Sequence, residues 1–132
     1  MVIQASRRIK INLRNGIYIL GAFGGDGKSY LCNILKDVSV LGDFKVAGIS
    51  YRDYVEMGEE SIVRKLQEDL EVVMLDRFNL YCTDNIIDVV NRMSHKTVFL
   101  IDYKYNSTKF PLSIKDYKSA VVLLTEEGIE VR

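Results

Sequence analysis

The chain has 132 residues, with 18 Lys and Arg balancing 18 Asp and Glu, one His, two Cys, one Pro and no Trp. At 48% apolar and 27% charged the composition is that of a globular protein, which excludes a disordered segment, and the zero net charge excludes a general polyanion-binding surface. This length suits one domain, residues 1–132, large enough to bury a core.

In chain order, Ile9–Leu20 reads as two β-rich runs around Asn15-Gly16, a pair suited to a tight turn, and predicts an N-terminal hairpin. A glycine cluster follows, then a helix with Leu31, Ile34, Leu35 and Val38 on one face. Lys45–Tyr51 predicts a short apolar strand. Residues 59–70 predict a helix lined by Ile62, Val63, Leu66 and Leu70, with Glu59 and Glu60 at its positive end. Val72–Leu75 is an apolar strand ending in Asp76. Thr83-Asp84 caps a helix bearing Ile86, Ile87, Val90 and Met93. Val98–Ile101 is a second such strand, ending in Asp102. Residues 104–118 are polar, hold the one Pro, and predict a loop with one helical turn. Val121–Leu124 is a fifth strand, and Glu127-Gly128 turns it into a short edge strand at Ile129–Val131. Continuous apolar strands alternating with helices imply a parallel sheet buried on both faces. The expected fold is therefore α/β, in three layers, with about five parallel strands and the N-terminal β-hairpin.

No run approaches the roughly 20 apolar residues of a membrane span, and the basic start MVIQASRRIK lacks the apolar core of a signal peptide. Cys32 and Cys82 stand alone, without metal-site spacing, and read as reduced core thiols. A cytoplasmic protein without a membrane partner is expected.

The chemistry concentrates in Ala22-Phe23-Gly24-Gly25-Asp26-Gly27-Lys28-Ser29. Backbone N–H groups of such a turn form an anion nest, and the glycines adopt its dihedrals without a Cβ clash. Lys28 reaches phosphate as a point charge, Ser29 offers a hydroxyl to Mg²⁺, and the helix that starts here adds its positive end. The glycines do not fit the spacing of a dinucleotide fingerprint. With Ala in place of the first Gly, this segment resembles the P-loop of the P-loop NTPase superfamily. The first 38 residues, hairpin included, look most like the start of an ABC-type ATPase domain.

That resemblance implies a nucleotide site at Gly24, Gly25, Asp26, Gly27, Lys28, Ser29 and Tyr30. It also implies an acidic residue at a strand end that holds Mg²⁺. Asp76 and Asp102 both qualify. Asp76, on the third strand counted from the P-loop strand, is the favoured metal-associated acid, and Asp102 then lies beside the γ-phosphate as a catalytic group with Lys28. The residues following these acids are Arg77 and Tyr103, where hydrolysing relatives carry a Glu; Glu126 and Glu127 are the remaining acids near a strand end. The ABC signature LSGGQ and the guanine motifs DxxG and NKxD do not occur. Arg77 is a candidate phosphate contact. Phe23 is placed to pack on the nucleotide or a partner, and Tyr51-Arg52-Asp53 lies where an acceptor would bind. His95 reads as a surface turn residue. Tyr103 and Tyr105 around Lys104 read as tyrosines at a strand end rather than a nucleic-acid surface.

The expected function is Mg-ATP binding with slow hydrolysis, possible NTP specificity being left open between ATP and GTP. A nucleotide-binding switch with little turnover and a small-molecule kinase are the alternatives. A protein partner or homodimer that completes the site is compatible with the missing base, and a nucleic-acid partner is not expected.

Overall fold

The computed structural model describes residues 1–5, 7–21, 27–103 and 113–132. The strands are β1 (Val2–Gln4), β2 (Arg8–Ile11), β3 (Gly16–Gly21), β4 (Val46–Ile49), β5 (Val72–Leu75), β6 (Val98–Ile101), β7 (Lys118–Leu124) and β8 (Gly128–Val131). The helices are α1 (Gly27–Leu41), α2 (Tyr51–Met57), α3 (Glu59–Leu66) and α4 (Asp84–Met93), with a 3-10 turn at Phe78–Leu80.

The strands form one mixed sheet in the order β1-β2-β8-β7-β3-β6-β5-β4. β3 pairs in parallel with β6 and β7, and β5 pairs in parallel with β4 and β6. β2 and β8 are also parallel, whereas β1 with β2 and β7 with β8 are antiparallel. The sheet curls into a half-barrel.

Burial follows strand chemistry. VVML of β5 and VFLI of β6 are buried at every position, as strands covered on both faces must be. β1 and β2 alternate exposed and buried, so each has one wet face. One core lies between the sheet and α3 and α4, around Ile62, Leu66, Phe78, Ile86, Val90 and Phe99. The other joins Leu31, Leu35 and Val38 of α1 to Ile3, Ile9, Ile129 and Val131 of the curled strands. α1 lies close on β4: a Cβ at Gly48 would run into the Cys32 carbonyl.

This architecture corrects the expected three-layer α/β P-loop domain of about five parallel strands with an N-terminal hairpin. β2 and β3 do not pair with each other. β2 is claimed by β1 on one side and β8 on the other, with Ile9 opposite Ile3 and Ile129. Asn15-Gly16 marks the start of β3 instead of a hairpin tip: Gly16 N–H donates to the Thr97 carbonyl and the Asn15 amide to the His95 carbonyl. Ile129–Val131 is no edge strand, because β8 is paired on both sides. The curled strands take up one face of the sheet alongside α1, so a helix–sheet–helix stack over the whole sheet does not form.

Three local elements also differ. The strand expected over Lys45–Tyr51 stops at Ile49, because Ser50 caps α2: its backbone N–H and hydroxyl both donate to Asp53, at 2.8 and 3.0 Å. The helix expected over 59–70 ends at Leu66. Residues 113–117 form turn and bend structure without a helix, and the expected helical turn within 104–112 lies outside the described residues.

Candidate functional site

Three of the four buried polar or charged residues among those described, Lys28, Asp76 and Asp102, lie together. The fourth, Thr97, donates its hydroxyl to the Leu70 carbonyl and has a purely structural explanation. Since buried charges are costly unless paired, the cluster needs an account of its own.

The topology creates it. β3 is flanked by β6, and β6 by β5, all parallel. Their C-terminal ends therefore share one edge of the sheet, and α1 begins at that edge. Lys28 Nζ lies 2.8 Å from Asp102 Oδ1, with both side chains nearly removed from solvent. One residue on, Ser29 donates its hydroxyl to Asp76 Oδ2 at 3.4 Å. The first turn of α1 thus touches both strand-ending aspartates.

The aspartates are in opposite electrostatic situations. Burial, and then the adjoining Asp102 carboxylate, raise the Asp76 carboxyl above its ordinary range. Burial alone would raise Asp102 too, but the hydrogen bond and charge of Lys28 outweigh it and hold Asp102 below the ordinary range. Asp102 Oδ2 also accepts the Arg77 backbone N–H at 3.3 Å. Asp76 Oδ1 and Asp102 Oδ1 are both buried without a hydrogen-bond donor among the described residues, but Asp102 Oδ1 has the Lys28 ammonium beside it and Asp76 Oδ1 has no cation. An orphaned carboxylate oxygen in that position calls for a proton or a cation.

The backbone around Asp76 is pinned. Its N–H donates to the Ile49 carbonyl at 2.8 Å. The Tyr81 hydroxyl spans the Asp76 and Ile49 carbonyls at 2.9 and 3.0 Å. Tyr81 is itself held by Tyr54, stacked at 5.9 Å, and Phe78, edge-on at 5.4 Å. Sequence alone does not single out Tyr81, because its partners are backbone atoms of two other segments.

The remaining candidates separate. Gly27 is buried at the start of α1. Tyr30 is exposed, with the Arg7 guanidinium 5.8 Å from its ring centre. Phe23, Gly24, Gly25 and Asp26 lie outside the described residues, as do Lys104 and Tyr105. Tyr103 is buried. In the Tyr51-Arg52-Asp53 segment, Asp53 pairs with Lys36 at 2.6 Å and Arg52 with Glu56 at 2.9 Å, while Tyr51 is exposed. Glu127 pairs with Arg8 at 3.4 Å. His95 is exposed, with Nδ1 2.7 Å from the Arg92 carbonyl. Both cysteines are free thiols, and burial pushes Cys32 up to about 12.

The donor set suits a hard cation. A hydroxyl and a carboxylate with an unsatisfied oxygen are ligands that Mg²⁺ accepts, with further positions left to water and phosphate. Among the described residues no group of three or more His, Cys, Asp or Glu is arranged to hold a metal by itself. Among the same residues no helix is long and apolar enough to cross a membrane. No family model matches the chain, and no characterised protein matches it significantly.

Proposed function

We propose that this protein binds a magnesium nucleoside triphosphate, ATP in the first instance, at the start of α1 and hydrolyses it slowly. The observation that carries this reading is the buried Lys28, held at the α1 N-terminus against Asp102 while the next residue, Ser29, faces Asp76. A lysine and a helix N-terminus favour phosphate, and an acid paired with a hydroxyl favours the ion that accompanies it. Mg²⁺ at Ser29 and Asp76 would offset the charge of the triphosphate. Lys28 would turn from Asp102 to the phosphate oxygens, which compete for the same ammonium.

A nucleotide switch with little turnover has one observation in its favour. The carboxylate nearest Lys28, Asp102, is already satisfied by an ammonium and a backbone N–H and is held below its ordinary range. It is a weak base for activating water.

Thermal stability with Mg-ATP, Mg-GTP and Mg-ADP tests binding, followed by phosphate release to separate the two readings. A nucleotide at 100 times its Kd should add about 2.7 kcal/mol to the wild type. Ser29→Ala leaves the Lys28–Asp102 pair intact and should lose most of that gain when magnesium is present. No gain with any nucleotide on folded wild-type protein would overturn the reading.

A further inference from the structure

We propose that β4 is the contact strand of a homodimer, in which two copies of the chain join their sheets edge to edge with their β4 strands antiparallel. The inference does not depend on the nucleotide reading above.

The first support is an open edge. β4 ends the sheet and pairs only with β5. The Lys45 carbonyl accepts the Glu71 N–H at 2.7 Å and the Ile49 carbonyl the Asp76 N–H at 2.8 Å, so the odd-numbered residues turn their backbone groups to β5. Alternate residues of a strand bond on opposite sides. The N–H and C=O of Val46 and Gly48 therefore face outward, where no strand lies among the described residues. Natural sheets guard such an edge with charge, proline or a bulge. Val46-Ala47-Gly48-Ile49 carries neither charge nor proline.

The second support is the surface beside that edge. A groove of about 170 Å³ lies against it, bordered by Ser39 of α1, Gly48 and Ile49 of β4, Met57 of α2, and Ile62 and Lys65 of α3. α1 packs on one face of the sheet, while Tyr54 of α2 packs with the core on the other. Both helices carry apolar side chains in water. Val40 and Leu41 at the end of α1, and Val55 and Met57 on α2, are each more than half exposed. α2 buries none of its residues.

The third support decides the occupant. A lone added strand would satisfy the β4 backbone and leave the helices on both faces in water. A second copy brings its own α1 and α2. A two-fold axis normal to the sheet keeps each face on its own side, so α1 comes beside α1 and α2 beside α2, apolar against apolar. The axis falls at Ala47. Val46 of each copy then lies opposite Gly48 of the other, and each of these pairs exchanges both N–H···O bonds. The same rotation carries Asp43, just before β4, toward Arg52 of the partner subunit, just after it. Asp43 is exposed and has no ion pair among the described residues, and Arg52 is held only by Glu56 in an exposed pair of little worth.

Sedimentation velocity of the full chain from about 1 to 200 μM reads the oligomeric state. Wild type should pass from monomer to dimer across that range. Val55→Lys and Met57→Lys alter exposed residues of α2, so the fold should be kept. Each should weaken dimerisation about tenfold or more, because the new charge enters from both copies. Ala47→Cys, oxidised at dimeric concentration, should join the two copies by a disulfide at position 47, since residues facing each other there have Cα atoms about 4.5 Å apart. Mass spectrometry of the linked peptide identifies it. Folded wild type that stays monomeric throughout would overturn the proposal and leave the edge to a different protein. A dimer that neither lysine weakens, or a folded, dimeric Ala47→Cys variant that fails to cross-link, would overturn it as well.

Discussion

The ends of β5 and β6 are built from nearly the same sequence, VVML before Asp76 and VFLI before Asp102, yet the two aspartates are opposites. Asp102 has an ammonium at 2.8 Å and a backbone donor, and its charge is stabilised. Asp76 has a long hydroxyl contact, the adjoining Asp102 carboxyl and an oxygen with no cation beside it, and its charge is penalised. The difference comes from what the neighbouring strand order presents to each. β6 lies beside β3, whose chain runs on to α1 and Lys28, while β5 lies one strand further out and meets only Ser29. One end is internally compensated, and the other carries a buried carboxyl without a counter-charge of its own.

Breaking the compensated end should have the largest effect. Lys28→Ala leaves Asp102 buried without its counter-charge, which costs about 3–5 kcal/mol. In a chain of this size that lowers Tm by roughly 10 °C or more. A shift of only a degree or two at pH 7 would mean that Asp102 is not ionised in the folded protein, and the contrast with Asp76 would collapse.

Asp102→Asn attacks the same pair from the other side and should cost somewhat less, about 2–3 kcal/mol. The reason is geometric freedom. The Lys28 side chain retains slight exposure and can carry its head toward water along its flexible stem, whereas a carboxylate at the end of β6 cannot move. Urea unfolding of both variants measures the order. If Asp102→Asn proves the more damaging, the lysine is the more trapped of the two charges.

How much of this was legible beforehand depends on the range of the interaction. α1 was legible because Leu31, Ile34, Leu35 and Val38 repeat at helical spacing, and all four are buried. The α4 start was legible because Thr83 accepts the Ile86 N–H at 3.3 Å, a contact within one turn. β5 and β6 were legible because four consecutive apolar residues need cover on both faces. The half-barrel was not, since β2 could pair with β3 nearby or with β8 more than a hundred residues away, and local sequence does not rank the two. α2 was not, because it is seven residues long and buries none of them, so no apolar stripe announces it. At the site, both aspartates were visible as acids ending apolar strands, but their charge states were not, because these depend on Lys28, Arg77 and each other in space.

Tyr81→Phe probes the support beneath Asp76 without touching its carboxyl. It removes the hydroxyl from the Asp76 and Ile49 carbonyls. Ile49 keeps the Asp76 N–H as a donor, so chiefly one buried carbonyl loses its partner. The expected cost is about 1–2 kcal/mol. If Ser29 and Asp76 act together in the proposed way, magnesium-dependent nucleotide binding should weaken along with stability. A stability loss with unchanged magnesium dependence would confine Tyr81 to packing.

Asp76→Asn should be the mildest change and the one with a distinctive pH dependence. A carboxyl whose folded pKa is raised takes up a proton on folding, so its ionisation destabilises the folded state. That penalty is absent below the unfolded value of about 3.9, grows as pH rises from there to the folded value, and is constant above it. Replacing Asp76 by an amide removes the penalty, so the variant should equal or exceed wild-type stability at pH 8, by less than about 1 kcal/mol. Its relative advantage should shrink toward pH 4. Asp102 has the opposite sign: its lowered folded pKa supplies stability that is present at neutral pH and lost only as pH falls below about 3.9. Urea unfolding of wild type and Asp76→Asn at both pH values reads the Asp76 contribution, because the lowered Asp102 carboxyl has its own pH dependence toward the acid side of that window. A difference that does not vary with pH would place the Asp76 charge in solvent, and the orphaned oxygen would no longer argue for a bound cation.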